Sequence, residues 1–194
     1  MKNEEIVARS FTESISAKQA FMTPENLSRV VKSAGLIVDS FKKGGKLLIA
    51  GNGGSAADAQ HLAAEFVNRF EIERPPLPAI ALTTDSSNLT SIGNDYSFDL
   101  IFSKQLRALG KPDDVFLAIT TSGNSRNILK AVEEAENIGM KVIILTGKGG
   151  GLLSSKGDVF VNVEAKKTAR IQEVHITFCH AVCELVDSIL FQKA

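Results

Sequence analysis

Apolar and polar positions follow two different rhythms along this chain. Runs that are almost wholly apolar fall at 47–50, 78–82, 115–119 and 142–145, with a weaker fifth at 159–163. Uninterrupted apolar runs of this length are the pattern of strands covered on both faces of a parallel sheet. Between most of them, at 55–69, 98–108, 124–138 and 166–191, apolar residues recur at helical spacing. Strands alternating with helices predict an α/β fold with right-handed crossovers. Ahead of the first strand, 2–22 reads as a helix with Ile6, Val7, Phe11, Ile15 and Phe21 as its apolar positions. Thr23 followed by Pro24 is a helix start: a hydroxyl cap, then proline at the first helical position. The second helix carries Leu27, Val30, Val31, Ala34, Leu36, Ile37, Val38 and Phe41 and stops at Gly44-Gly45. No linker, charge block or repeat divides the sequence, so 1–194 parses as one domain. Residues 44–194 form the α/β core and C-terminal helix. Two helices in 1–43 are more cover than a small sheet needs, which predicts that they pack on another copy of the chain.

Charge changes the picture only by exclusion. Lys plus Arg and Asp plus Glu each number 22, for a net charge of zero. No broad basic field exists to hold nucleic acid. No apolar run approaches the ~20 residues that span a bilayer, and the polar start, Met1-Lys2-Asn3-Glu4-Glu5, has no signal-sequence pattern. Cys179 and Cys183 lie at helical spacing in an apolar segment, as buried thiols in a reducing compartment do. The expectation is a cytoplasmic protein that binds neither nucleic acid nor membrane directly.

Chemistry concentrates at two strand-to-helix junctions. The first is Gly51-Asn52-Gly53-Gly54-Ser55, the second Thr120-Thr121-Ser122-Gly123-Asn124-Ser125. Backbone N–H groups and hydroxyls at such a helix start can hold an anion. The plain alternative for each is a tight turn and a capped helix, with Ser125 as the cap of the second. Two such junctions favour the anion, because loops at the carboxyl ends of parallel strands converge on one crevice. Neither loop has the P-loop lysine or the dinucleotide glycine fingerprint. Next to the first loop, His61 and Glu65 share a helix face at i and i+4. In the last helix Gln172, Ile176 and His180 share a face too, with His175 leaning toward it. Two His, one Glu and one Gln suit either a divalent metal such as Zn²⁺ or metal-free acid/base chemistry with Glu65 and His180.

Taken together these motifs resemble the sugar isomerase (SIS) family, and within it the bacterial phosphoheptose isomerases. The resemblance is densest in residues 51–61, in Ala81-Leu82-Thr83-Thr84-Asp85, in Ile92-Gly93-Asn94-Asp95-Tyr96, in Thr121-Ser122-Gly123-Asn124-Ser125 and in Thr168-Ala169-Arg170-Ile171-Gln172-Glu173-Val174-His175. It implies a five-stranded parallel sheet flanked by helices, and a homotetramer with active sites at subunit interfaces. It implies conversion of sedoheptulose 7-phosphate to a manno-heptose 7-phosphate, the entry step to the heptose of lipopolysaccharide core. Carried over by position, it implies one Zn²⁺ per subunit on His61, Glu65, Gln172 and His180. Glu65 and His180 would be the acid/base pair, on opposite sides of the sugar. Asn52, Gly53, Gly54, Ser55, Arg69, Asn94, Asp95, Thr120, Thr121, Ser122, Ser125 and Gln172 would bind substrate, Arg69 being the main candidate cation. Asn68-Arg69-Phe70-Glu71, Glu73-Arg74-Pro75 and residues 104–110 also resemble a non-enzymatic SIS protein that binds the bacterial replication initiator. That relative lacks the full metal set; this chain keeps all four residues, which favours the enzyme.

Overall fold

The computed structural model describes residues 2–192, so residues 1, 193 and 194 of the predicted single domain lie outside the described residues. Five parallel strands, β1 (Leu47–Gly51), β2 (Ala79–Ala81), β3 (Val115–Ile119), β4 (Lys141–Gly147) and β5 (Val159–Val163), form one sheet in the order β2-β1-β3-β4-β5. Register is simple: Leu47 pairs with Val115 and Ala79, and Ile119 with Leu145. Every residue of β1 and β3 is buried, the expected consequence of their unbroken apolar runs. The edge strand β2 departs from that expectation, with Ile80 40% exposed.

Side chains alternate across the sheet and build two cores. On one face Leu47, Ile49, Val115, Leu117 and Ile119 meet α2 (Pro24–Lys42), α3 (Gly54–Val67) and α7 (Thr168–Phe191). On the other, Leu48, Phe116, Ala118, Val142 and Ile144 meet α5 (Ser103–Leu109) and α6 (Arg126–Ile138). Thr23 caps α2 as predicted, its Oγ1 accepting from the N–H of Asn26 at 3.2 Å. The chain turns one way from β1 through α3 to β2, and the other way from β3 through α6 to β4. The boundary between β1 and β3 is therefore the switch point of the sheet, where ligand crevices form in open α/β folds.

Two expectations are corrected. The segment 98–108 is not one helix: a 3-10 turn at Phe98–Leu100 precedes α5. A helix absent from the sequence reading, α4 (Ser86–Asp95), comes before it, capped by Asp85, which accepts from the N–H of Asn88 at 2.9 Å. Only Ile92 of α4 is buried, so it left no apolar rhythm. The helix α7 is long and apolar enough to cross a bilayer by length and composition alone. It is instead the central core helix, burying Ile171, Val174, Phe178, Cys179, Val182 and Val186.

The first helix, α1 (Asn3–Phe21), buries no residue, and Phe11 is 69% exposed. It touches the domain along one side only, through Ala17 and Phe21 against Val163, Ile171 and Val174, and through a 2.6 Å ion pair of Glu13 with Lys167.

Candidate active site

Both predicted loops meet at the carboxyl ends of β1 and β3. Asn52 and Asn127 exchange amide hydrogen bonds, each Nδ2 donating to the other's Oδ1 at 2.9 Å. That reciprocal pair locks the first loop to the start of α6. Between the loops lies a cavity of about 170 Å³ lined by Asn52, Ser55, Ile119, Thr120, Thr121, Ser122, Ser125, Thr168 and Gln172. Ser55 and Thr120 are buried, and Thr120 Oγ1 is 3.2 Å from Ser125 Oγ. The loop after β3 is held by Gly123, at φ +64, where a Cβ would stand 1.8 Å from the carbonyl oxygen of Gly150.

The hydroxyls decide between a capped turn and an anion cradle. Ser125 sits at the N-cap of α6 but makes no capping bond; its hydroxyl faces Thr120 instead. The starts of α3 and α7 have no side-chain cap either. Three helix N-termini thus approach one small hydroxyl-lined cavity with their positive ends free of side-chain caps. This favours a negative group there.

Thr168 belongs to this wall and Asn127 braces it through Asn52; both were missed in the sequence, where each reads as an ordinary helix-start residue. The expected cation, Arg69, is not at this cavity within one chain. Arg69 is exposed, lies outside the cavity lining and pairs with Glu73 at 3.7 Å. Lys148, after β4, reaches the rim, with Nζ 3.5 Å from Thr168 Oγ1. Asn94 and Asp95 also lie outside the lining, at the exposed end of α4, bonded to each other at 2.9 Å.

Next to the cavity, α3 and α7 bring their titratable groups together. His61 Nε2 is 2.9 Å from His180 Nε2 and 3.2 Å from Glu65 Oε1. Phe70 stacks on His180 at a centroid distance of 5.6 Å. Glu65 and His180 therefore stand side by side about His61, not facing each other across a gap as expected. Gln172 is not with them. Its amide lies over Gly54, where a Cβ would be 2.4 Å from Nε2, and it sits about 12 Å along α7 from His180. The structure thus assembles three of the four predicted donors and gives the fourth to the cavity wall. His175 turns the other way, buried, with Nε2 3.0 Å from the carbonyl oxygen of Thr146. Burial holds its pKa down at about 4. Burial likewise raises the thiols of Cys179 and Cys183, and the carboxyl of Asp58, one turn before His61.

A His₂Glu set matches the ligand chemistry of open zinc sites. Tetrahedral ligands at zinc distances stand about 3.3 Å apart, so the imidazole nitrogens at 2.9 Å would need to open by a few tenths of an ångström. At present the donors satisfy one another, and among the described residues no group of three or more His, Cys, Asp or Glu is spread as a metal shell. The donor types and their convergence fit zinc; the spacing is that of mutual hydrogen bonds.

Comparison with known proteins agrees with this architecture. A family model described as the SIS domain matches residues 10–147. The phosphoheptose isomerase of Shewanella oneidensis is 53% identical over 194 residues, covering 97% of each chain. Solved phosphoheptose isomerases from Neisseria gonorrhoeae and Francisella tularensis superpose with a TM-score of 0.90 each. They are 48% and 44% identical, and cover 96% and 97% of this chain and 100% of their own. Near-full-length likeness at this identity, on a sheet with its crevice between β1 and β3, means that the chain belongs to the SIS-domain family, among the phosphoheptose isomerases.

Proposed function

We propose that the protein interconverts a ketose and an aldose phosphate, taking sedoheptulose 7-phosphate to a manno-heptose 7-phosphate for the heptose of lipopolysaccharide core. The observation that carries this is the shared use of α7: Gln172 walls the anion cavity, and His180, on the same helix, meets Glu65 and His61. The phosphate end and the reacting end of an open-chain sugar would lie along one helix.

In this reading the sugar phosphate enters the cavity, with the hydroxyls of Ser55, Thr120, Ser122 and Ser125 donating to its oxygens. The helix starts supply positive potential, and Lys148 closes the rim. Anchoring the far end makes proton transfer at C1 and C2 effectively intramolecular. Glu65 removes a proton from C1 of the ketose, giving an enediol; its carboxyl exchanges that proton with water and delivers one to C2. His180 passes a proton from the C1 hydroxyl to the C2 oxygen, so that C1 becomes the carbonyl. His61, Glu65 and His180 would hold zinc, and Gln172 would join them only by swinging away from Gly54. When bound, zinc supplies a Lewis acid for the two sugar oxygens. A carboxylate on zinc is a weaker base, so Glu65 would alternate between ligand and base.

The proposal includes a homotetramer with shared sites. Ile6, Val7, Phe11 and Ile15 of α1 are each at least 43% exposed and form an apolar face that a partner copy would cover. Arg69, Asn94 and Asp95, outside the cavity within one chain, would serve a neighbour's site. The test is incubation with sedoheptulose 7-phosphate and product detection by NMR. A new aldose phosphate is expected; an unchanged substrate with metal-replete oligomer would favour a non-catalytic phosphosugar- or partner-binding SIS protein.

A further inference from the structure

We propose that Arg74 and Asp187 form a buried clamp that positions Glu65 and His61 against His180. As a positioning role, it rests on the reading of Glu65 and His180 as the reacting pair. Arg74 follows α3 in the chain, yet its side chain is only 1% exposed. Its Nη2 donates to the carbonyl oxygen of Glu65 at 2.7 Å. Its Nη1 donates to those of Phe66, Pro75 and Asn68 at 2.6, 3.2 and 3.3 Å. Its Nε donates to Asp187 Oδ1 at 2.9 Å.

The last carbonyls of a helix lack partners within it, and a cation there is favourable. Arg74 supplies both needs at the turn that carries Glu65. Its counter-ion, Asp187, is 5% exposed and lies on α7, about two turns beyond His180. One guanidinium therefore grips the end of α3 and a fixed point on α7, the two helices whose side chains must meet. Among the described residues, the other side-chain hydrogen bond between these helices is the His61–His180 contact itself. That contact must open for the imidazoles to turn to a substrate or metal. The clamp keeps the helices in register when it does. Lysine would not serve, because one ammonium cannot span four carbonyls and a carboxylate in a planar fork.

Arg74→Met alone would leave a buried carboxylate unpaired and endanger folding. The double variant Arg74→Met, Asp187→Leu removes the unpaired buried charge, at the cost of Arg74's carbonyl contacts. We expect it to fold, by circular dichroism and gel filtration. Its kcat should fall about 10²-fold, the cost of roughly 1 Å of misplacement, with little change in KM, since the phosphate cavity is untouched. The chain has three histidines, so imidazole ¹⁵N shifts resolve each one. Those of His61 and His180 should move, and that of His175 should stay. Arg74→Lys keeps the charge, and should fold with a smaller change in the same direction. Wild-type kcat and unmoved His61 and His180 shifts in a folded double variant, or in Arg74→Lys if the double variant does not fold, would overturn the clamp. If the wild type isomerises no sugar phosphate, the isomerase reading fails while the shifts still decide the clamp: movement confined to His61 and His180 supports it, and no movement overturns it.

Discussion

Gly54→Ala is a sharp perturbation because the structure predicts a functional loss without a stability loss. A Cβ built there lies 2.4 Å from Nε2 of Gln172, 3.1 Å from its Cδ and 3.3 Å from its Oε1. These are the far atoms of a flexible side chain, so the amide swings away and the backbone stays. The displacement needed to reach ordinary contact is about 1 Å, which for a group positioning substrate costs about 10²-fold. That is about 2.7 kcal/mol in transition-state stabilisation. Folding should be nearly unaffected or slightly improved, since alanine restricts the unfolded chain more than glycine. The assay is kcat/KM for the phosphosugar beside a thermal melt. A double-mutant cycle adds the decisive control: if Gly54→Ala acts through Gln172, it should cost little more in a Gln172→Ala background. Wild-type kcat/KM in Gly54→Ala, or full additivity with Gln172→Ala, would refute the reasoning.

Ser55→Ala removes a buried hydroxyl from the cavity wall; KM should rise by more than kcat falls, and steady-state kinetics showing the reverse would count against a phosphate anchor. His175 binds its proton less readily folded, at a pKa of about 4, than unfolded, near 6.5. Stability is therefore complete above pH 6.5 and declines toward pH 4 by about 3 kcal/mol at 1.4 kcal/mol per unit. Urea titrations from pH 7 to 4.5 should show this decline, and His175→Gln should flatten it. Phe11, 69% exposed on α1, should be an interface anchor, so Phe11→Asp should shift the oligomer to smaller species in light scattering with secondary structure intact.

The interior of the sheet was legible because β1 and β3 are buried at every position and must be apolar throughout. α4 was not, because a helix that buries only Ile92 has no stripe to betray it. The hydroxyl loops announced themselves, but the sequence leaves Ser125 open as helix cap or cavity hydroxyl; its missing capping bond and its distance to Thr120 distinguish the two. Family likeness points to Arg69 as the cation, whereas Lys148 reaches the rim after β4, far along the sequence. His61 and Glu65 paired by helical spacing alone. Their meeting with His180, and the separation of Gln172 from them, depend on how α3 and α7 cross. Arg74 stood inside a motif noticed only as family likeness, since nothing local tells a surface arginine from one that four carbonyls and an aspartate enclose.

The central claim is that Glu65 moves the proton between C1 and C2 of a sugar phosphate anchored in the hydroxyl cavity. Its most direct test is NMR of sedoheptulose 7-phosphate incubated in D₂O with the wild type and with Glu65→Gln. The proposed mechanism predicts an aldose phosphate carrying deuterium at C2 from the wild type, and turnover lower by orders of magnitude with the oligomer intact in the variant. No aldose from the wild type, or equal turnover in Glu65→Gln, would contradict it.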